Sequence, residues 1–218
     1  MVARALWDDL KGMRCLRRFI LFPLVLCALW TAGPALAGGG NYVFAGGTPK
    51  QQAQVRSALD ASAFDWNLVP AQITVHIAPG ITSEATTGNI WLDGNLLNAG
   101  RFSWGIVQHE YAHQVDFYLL DETKRAFLEQ ALGGKDWCYG VPGLQHAQYG
   151  CERFASTLAW AYWPSSDNSM KPASAKDESA AMAPAKFRAL LATMIGAPDT
   201  LPSNVTAYAP TVSKPKHK

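Results

Sequence analysis

Charge, cysteine and long apolar runs are all scarce in this sequence. Asp, Glu, Lys and Arg make up 17% of the 218 residues, and 19 basic against 17 acidic side chains leave a formal net charge of +2. That inventory builds no polyelectrolyte surface, and no basic stripe is interleaved with aromatics, so nucleic acid is not an expected partner. No uninterrupted apolar segment reaches the roughly 18 to 20 residues that span a bilayer, which argues against a retained membrane anchor. No internal repeat is visible, which sets aside a solenoid. What is present is 49% hydrophobic content, in a chain long enough for one full-sized core.

The main apolar run lies near the start. Residues 19–30 follow Arg14, Arg17 and Arg18, and Ala35, Leu36 and Ala37 precede a glycine run. This order of basic, apolar and small residues predicts an export signal over 1–37, with a retained anchor as the weaker reading. A single domain is expected over 38–200, with a Ser- and Pro-rich surface loop or disordered insert at about 164–183 and a flexible tail over 201–218. Removing the leader takes away Cys15 and Cys27. Cys138 and Cys151, 13 positions apart (151 minus 138), are then the only cysteines. In an exported chain, secreted or held at the cell envelope, this pair predicts one disulfide, the alternative being two buried free thiols.

Hydrophobic patterning predicts an α+β fold. Tyr42 and Phe44 mark a short strand and Gly46 and Gly47 a turn. Thr48 and Pro49 mark the capped start of a helix reaching about Ala61, with Val55, Ala58 and Leu59 inward. Ile73, Val75 and Ile77 alternate with Thr74 and His76 over 72–78, a strand on which His76 faces solvent. Residues 86–88 read as a turn and 89–92 as a second strand, paired with the first as a hairpin or an edge pair. Ser103 is a candidate cap for a largely buried helix over 104–120, and further helices are expected over 122–132, 151–162 and 187–195.

The chemistry sits on the 104–120 helix, in the run HEYAH. His109 and His113 are one turn apart on one helix face, able to offer two imidazole nitrogens to one ion. Glu110 is rotated away from them yet near enough to reach a water beside that ion as general base. Imidazole and carboxylate ligands suit zinc, one ion per chain, if a third protein ligand completes the set. Two acidic candidates follow. Asp116 lies two turns beyond His109 on a short side chain, and fits better as an acceptor for an imidazole N–H or as a salt-bridge partner. Glu152, 39 positions past His113 (152 minus 113), opens the next suitable helix and is the preferred third ligand, against the alternative of a surface or capping carboxylate.

Together, HEYAHQVD (109–116) and CERFASTLAW (151–160) resemble the gluzincin zinc peptidases, in which an HExxH helix is joined by a downstream helix carrying a glutamate ligand. Within that group the pattern is most similar to the anthrax lethal factor and Pro-Pro endopeptidase type. Those proteins follow HExxH with Asp and carry a downstream Glu-x-Phe-Ala segment, matched here by Asp116 and by Glu152, Phe154 and Ala155. The match spans roughly residues 104–160. It implies a single zincin-like domain, a small mixed sheet packed on the HExxH helix, whose edge strand receives an extended peptide by strand addition. Residues 89–92 are the candidate strand. The resemblance also implies a Tyr or His that stabilises the oxyanion, shortly before the glutamate. His146 and Tyr149 are the candidates, Tyr139 being further off in sequence. Ser156 departs from the pattern, standing where those relatives often carry a second acidic residue.

The expected function is therefore that of an exported zinc metalloendopeptidase acting on a peptide or protein, with no stable membrane insertion after the leader is removed. Two alternatives stay open: a zinc-retaining binding module without turnover, and a hydrolase of a non-peptide amide. An intact Glu110 argues against the first.

Overall fold

In the computed structural model of this chain, residues 39–202 are described; the expected leader and residues 203–218 lie outside them. The elements run β1 (Tyr42–Gly46), α1 (Pro49–Ala61), β2 (Ile73–Ala78), β3 (Glu84–Thr86), β4 (Asn89–Asp93), α2 (Gly94–Leu97), α3 (Trp104–Leu119), α4 (Glu122–Leu132), α5 (Gly150–Tyr162) and α6 (Pro184–Ile195). The turn after β1 needs glycine. A Cβ on Gly46, whose φ is +88°, would come within 2.6 Å of the Ile77 carbonyl oxygen. Thr48 then caps α1, and Gln51 returns the favour by accepting from the Thr48 backbone N–H at 2.8 Å, with Pro49 in the first turn.

The sheet has the order β1-β2-β4-β3, with β1, β2 and β4 parallel and β3 antiparallel to β4. The hairpin expected between 72–78 and 89–92 is therefore replaced by a parallel pair. The chain makes the crossover through β3, an edge strand of 3 residues whose Glu-Ala-Thr sequence is too short to display alternation. Ile73, Val75 and Ile77 of β2 and Ile90 and Leu92 of β4 bury one sheet face. They share a core with Val55 and Leu59 of α1 and with Val107, Tyr111 and Val115 of α3. On the opposite face His76 stacks on Trp91 at 4.9 Å and bonds Asn89 Oδ1 at 2.9 Å.

Helix α3 packs against α5. Of the 13 residues of α5, Arg153 is the one not buried, which suits its run of Ala, Phe, Leu and Trp. Of the two expected readings for 164–183, the segment takes that of a surface loop, and parts of it are packed. Ser165, Asn168, Ser179 and Met182 are buried, and Asn168 Nδ2 donates to the carbonyls of Ala159 at 3.0 Å and Trp163 at 2.7 Å, closing the end of α5. The close approach of this segment to α3 depends on Gly105, where a Cβ would lie 2.1 Å from Asn168 Oδ1. Leu201, the first residue of the expected flexible tail, also packs against the core. Among the described residues no helix is long and apolar enough to cross a membrane.

Candidate metal centre

Helix α3 presents His109, Glu110 and His113 to one cleft, and the first turn of α5 presents Glu152 to the same space. The two imidazole Nε2 atoms are 3.2 Å apart. Glu152 Oε2 lies 3.1 Å from His109 Nε2 and 3.4 Å from His113 Nε2, and all three residues are buried. An ion held tetrahedrally by ligands at about 2.0 to 2.2 Å has ligand-to-ligand separations of about 3.3 to 3.6 Å. The observed triangle matches that figure to within a few tenths of an ångström, so these residues fit one small ion, and together they form a group that can hold a metal. The electrostatics agree. Burial works to raise the Glu152 pKa, but hydrogen bonds from His109, His113 and His146 reverse it and hold the carboxyl far below the usual carboxylate range. A buried carboxylate kept ionised in this way needs compensating positive charge, from imidazole protons or from a cation.

Cys138, Cys151 and Glu152 form a second close group, but its two sulfurs are joined in the expected disulfide, with Cα atoms 5.5 Å apart. That bond fixes the 134–140 loop against the start of α5. Gly150 and Cys151 donate backbone N–H groups to the carbonyls of Asp136 and Trp137, both at 2.8 Å. A Cβ on Gly150 would lie 2.7 Å from the Trp137 ring, so only glycine allows the loop to lie so close.

Glu110 is buried beside the imidazoles, and desolvation raises its pKa above the ordinary carboxylate value. His146, about half exposed, directs Nε2 to Glu152 Oε2 at 3.0 Å and Nδ1 to Glu178 Oε1 at 2.7 Å. Those bonds to Glu152 and then Glu178 raise its pKa to about 10. Tyr149 stands elsewhere. It is buried, its hydroxyl donates to the Val141 carbonyl at 2.9 Å, and it does not line the cleft. The tyrosine at the site is Tyr139, which donates its hydroxyl to Glu152 Oε1 at 2.8 Å. Sequence distance from the glutamate misleads here because the disulfide folds the more distant residue back.

Asp116 differs from its expected role as an imidazole acceptor. It accepts from Arg125 Nε at 2.7 Å and from Trp137 Nε1 at 3.1 Å, the salt-bridge alternative, and so ties α3 to α4 and to the 134–140 loop. The edge facing the cleft also shifts. Strand β4 is interior, whereas Glu84 and Ala85 of β3 line the cleft beside Ser83. Glu178 was not legible at all. It lies 26 positions past Glu152 (178 minus 152) in the polar segment, and reaches Ser156 Oγ at 2.9 Å.

No protein-family model, no curated protein and no solved structure matches this chain.

Proposed function

We propose that this protein is an extracytoplasmic zinc metallopeptidase of zincin-like build, related in design to the gluzincins. The observation that carries the reading is the triangle of His109 Nε2, His113 Nε2 and Glu152 Oε2, with edges of 3.1, 3.2 and 3.4 Å. Two imidazoles and one carboxylate suit zinc among the divalent ions and leave room for a non-protein ligand. When bound, such an ion polarises a substrate carbonyl and lowers the pKa of water.

The residues around the triangle supply the rest of the chemistry. Glu110, with its raised pKa, takes a proton from the attacking water and returns it to the leaving nitrogen. His146 and Tyr139 reach the cleft from the side of Glu152, and their N–H and O–H groups are the donors for a developing oxyanion. Strand β3 pairs on one side with β4, and its other edge, without a strand partner among the described residues, suits an extended peptide substrate bound by strand addition. The disulfide, together with the basic and apolar leader pattern, supports action outside the cytoplasm.

Incubating the zinc-reconstituted mature chain with a mixed peptide library tests the reading. Cleavage that requires zinc and disappears in Glu110→Gln is the expected result. Bound zinc without cleavage of any peptide would instead favour a binding module of the same build or a non-peptide amide as substrate.

A further inference from the structure

Resting on the metal-centre reading, we infer that Glu178 is a positioning residue for that centre, acting on His109 through the Ser156 hydroxyl and on His146 directly. The contacts form a continuous chain. His109 Nδ1 lies 3.1 Å from Ser156 Oγ, Ser156 Oγ lies 2.9 Å from Glu178 Oε2, and Glu178 Oε1 lies 2.7 Å from His146 Nδ1. In both rings Nε2 is the atom directed at Glu152. One carboxylate thus stands behind two imidazoles, each of its oxygens serving one of them.

The arrangement solves a specific problem. A ligating imidazole must present a lone pair at Nε2, so its proton must sit on Nδ1, and an acceptor there fixes both tautomer and ring rotation. A serine hydroxyl alone is ambiguous, because it donates as readily as it accepts. When the Ser156 O–H donates its hydrogen bond to the Glu178 carboxylate, the oxygen lone pairs are left to accept from His109 Nδ1–H. The nearby Met170 sulfur, 3.6 Å from Ser156 Oγ, is a far weaker acceptor and does not compete.

The 164–183 segment is held so that Glu178 stays in reach. Thr157, next to Ser156 on α5, donates its hydroxyl to the Glu178 backbone carbonyl at 3.2 Å. Ser156 is 2% exposed and Ser179 4%, so the relay is largely buried at its α5 end, where it lines a surface pocket with Met170. The polar segment is thus a surface loop that carries Glu178 to the centre.

The test is zinc affinity of the full mature chain, measured by competition with a chromogenic chelator, with nitrogen NMR of the His109 ring reporting its tautomer. Glu178→Ala and Ser156→Ala are each expected to weaken zinc binding about 10- to 100-fold and to lose the single Nδ1–H tautomer. The double variant is expected to be little weaker than Glu178→Ala, because the link through Ser156 already depends on that carboxylate. Ser156→Asp in the Glu178→Ala background places a carboxylate directly at His109 and is expected to recover about tenfold. Thermal melts of the metal-free proteins check folding, and if Glu178→Ala unfolds, the isosteric Glu178→Gln carries the same comparison with an expected loss of about tenfold. Wild-type affinity in Glu178→Ala and Ser156→Ala overturns the positioning role while leaving the metal centre intact. Losses that multiply in the double variant overturn the relay through Ser156. A wild-type chain that binds no zinc overturns both readings.

Discussion

The hydroxyl of Tyr139 donates to Glu152 Oε1 at 2.8 Å, and the disulfide joins the residue before each, Cys138 to Cys151. A covalent bond and a hydrogen bond therefore run side by side between the 134–140 loop and the start of α5. Tyr139 has a φ of 59°, the one positive value outside glycine among the described residues. That conformation costs about 1 to 2 kcal/mol for an L-residue with a side chain. It persists because the disulfide holds one side and Asp136 the other, accepting from the Gly140 N–H at 2.6 Å.

Replacing Tyr139 by Phe removes the hydroxyl and leaves the loop in place. Turnover is expected to fall about 100-fold, with zinc content unchanged, as for loss of one oxyanion donor. Steady-state kinetics on a cleaved peptide, run beside metal analysis, checks both. Unchanged turnover would remove Tyr139 from the chemistry.

Loss of the disulfide acts on stability as well as on the site. The double variant Cys138→Ser/Cys151→Ser is expected to be less stable by about 2 to 3 kcal/mol, from the loop entropy released in the unfolded chain. Denaturant melts of both metal-free proteins measure it. Amide exchange is expected to quicken over residues 134–140 while α6 keeps its protection.

Gly105→Ala sets two opposed effects against each other. Alanine favours a helix interior by about 1 kcal/mol over glycine. Against this, the added Cβ would sit 2.1 Å from Asn168 Oδ1 and 2.5 Å from Ser169 Oγ. Overpacking of that kind costs about 1 to 3 kcal/mol, so net destabilisation is expected, visible as a lower melting temperature. A stabilised protein would show that the 164–183 segment yields freely.

Asp116→Asn separates a ligand-orienting role from a bracing one. The carboxylate is 1% exposed and holds Arg125 and Trp137, so weakening those bonds is expected to cost about 1 to 3 kcal/mol of stability. Zinc affinity is expected to change by less than the 10-fold typical of an imidazole acceptor. Chelator competition and melting curves on one preparation give both numbers.

The parts of the fold that follow from local chemistry were legible in the sequence. Thr48 and Pro49 announce α1, Ile73, Val75 and Ile77 announce β2, and the one-turn spacing of His109 and His113 needs no tertiary information. The disulfide followed from the scarcity of other cysteines once an export signal was expected. What failed depends on contacts between distant segments. Strand β3 is too short to alternate, and without it β2 and β4 read as a hairpin. Tyr139 reaches Glu152 only because the chain is folded back by Cys138, so nearness in sequence favoured Tyr149. Asp116 is claimed by Arg125 of α4 and by Trp137, two partners that no helical period reveals. Glu178 sits among Ser, Lys and Asp in a segment with the composition of a solvated loop, yet its carboxylate is drawn inward by His146 and Ser156.

Metal stoichiometry tests the centre most directly. A chain lacking residues 1–37 is loaded with zinc, dialysed against metal-free buffer and analysed for bound metal, beside His113→Ala and Glu152→Ala. About one equivalent in the wild type and none in either variant is the expected result for a site of three protein ligands. A wild-type chain that retains no zinc, or a Glu152→Ala chain that retains as much as the wild type, would contradict the cage built by these two helices.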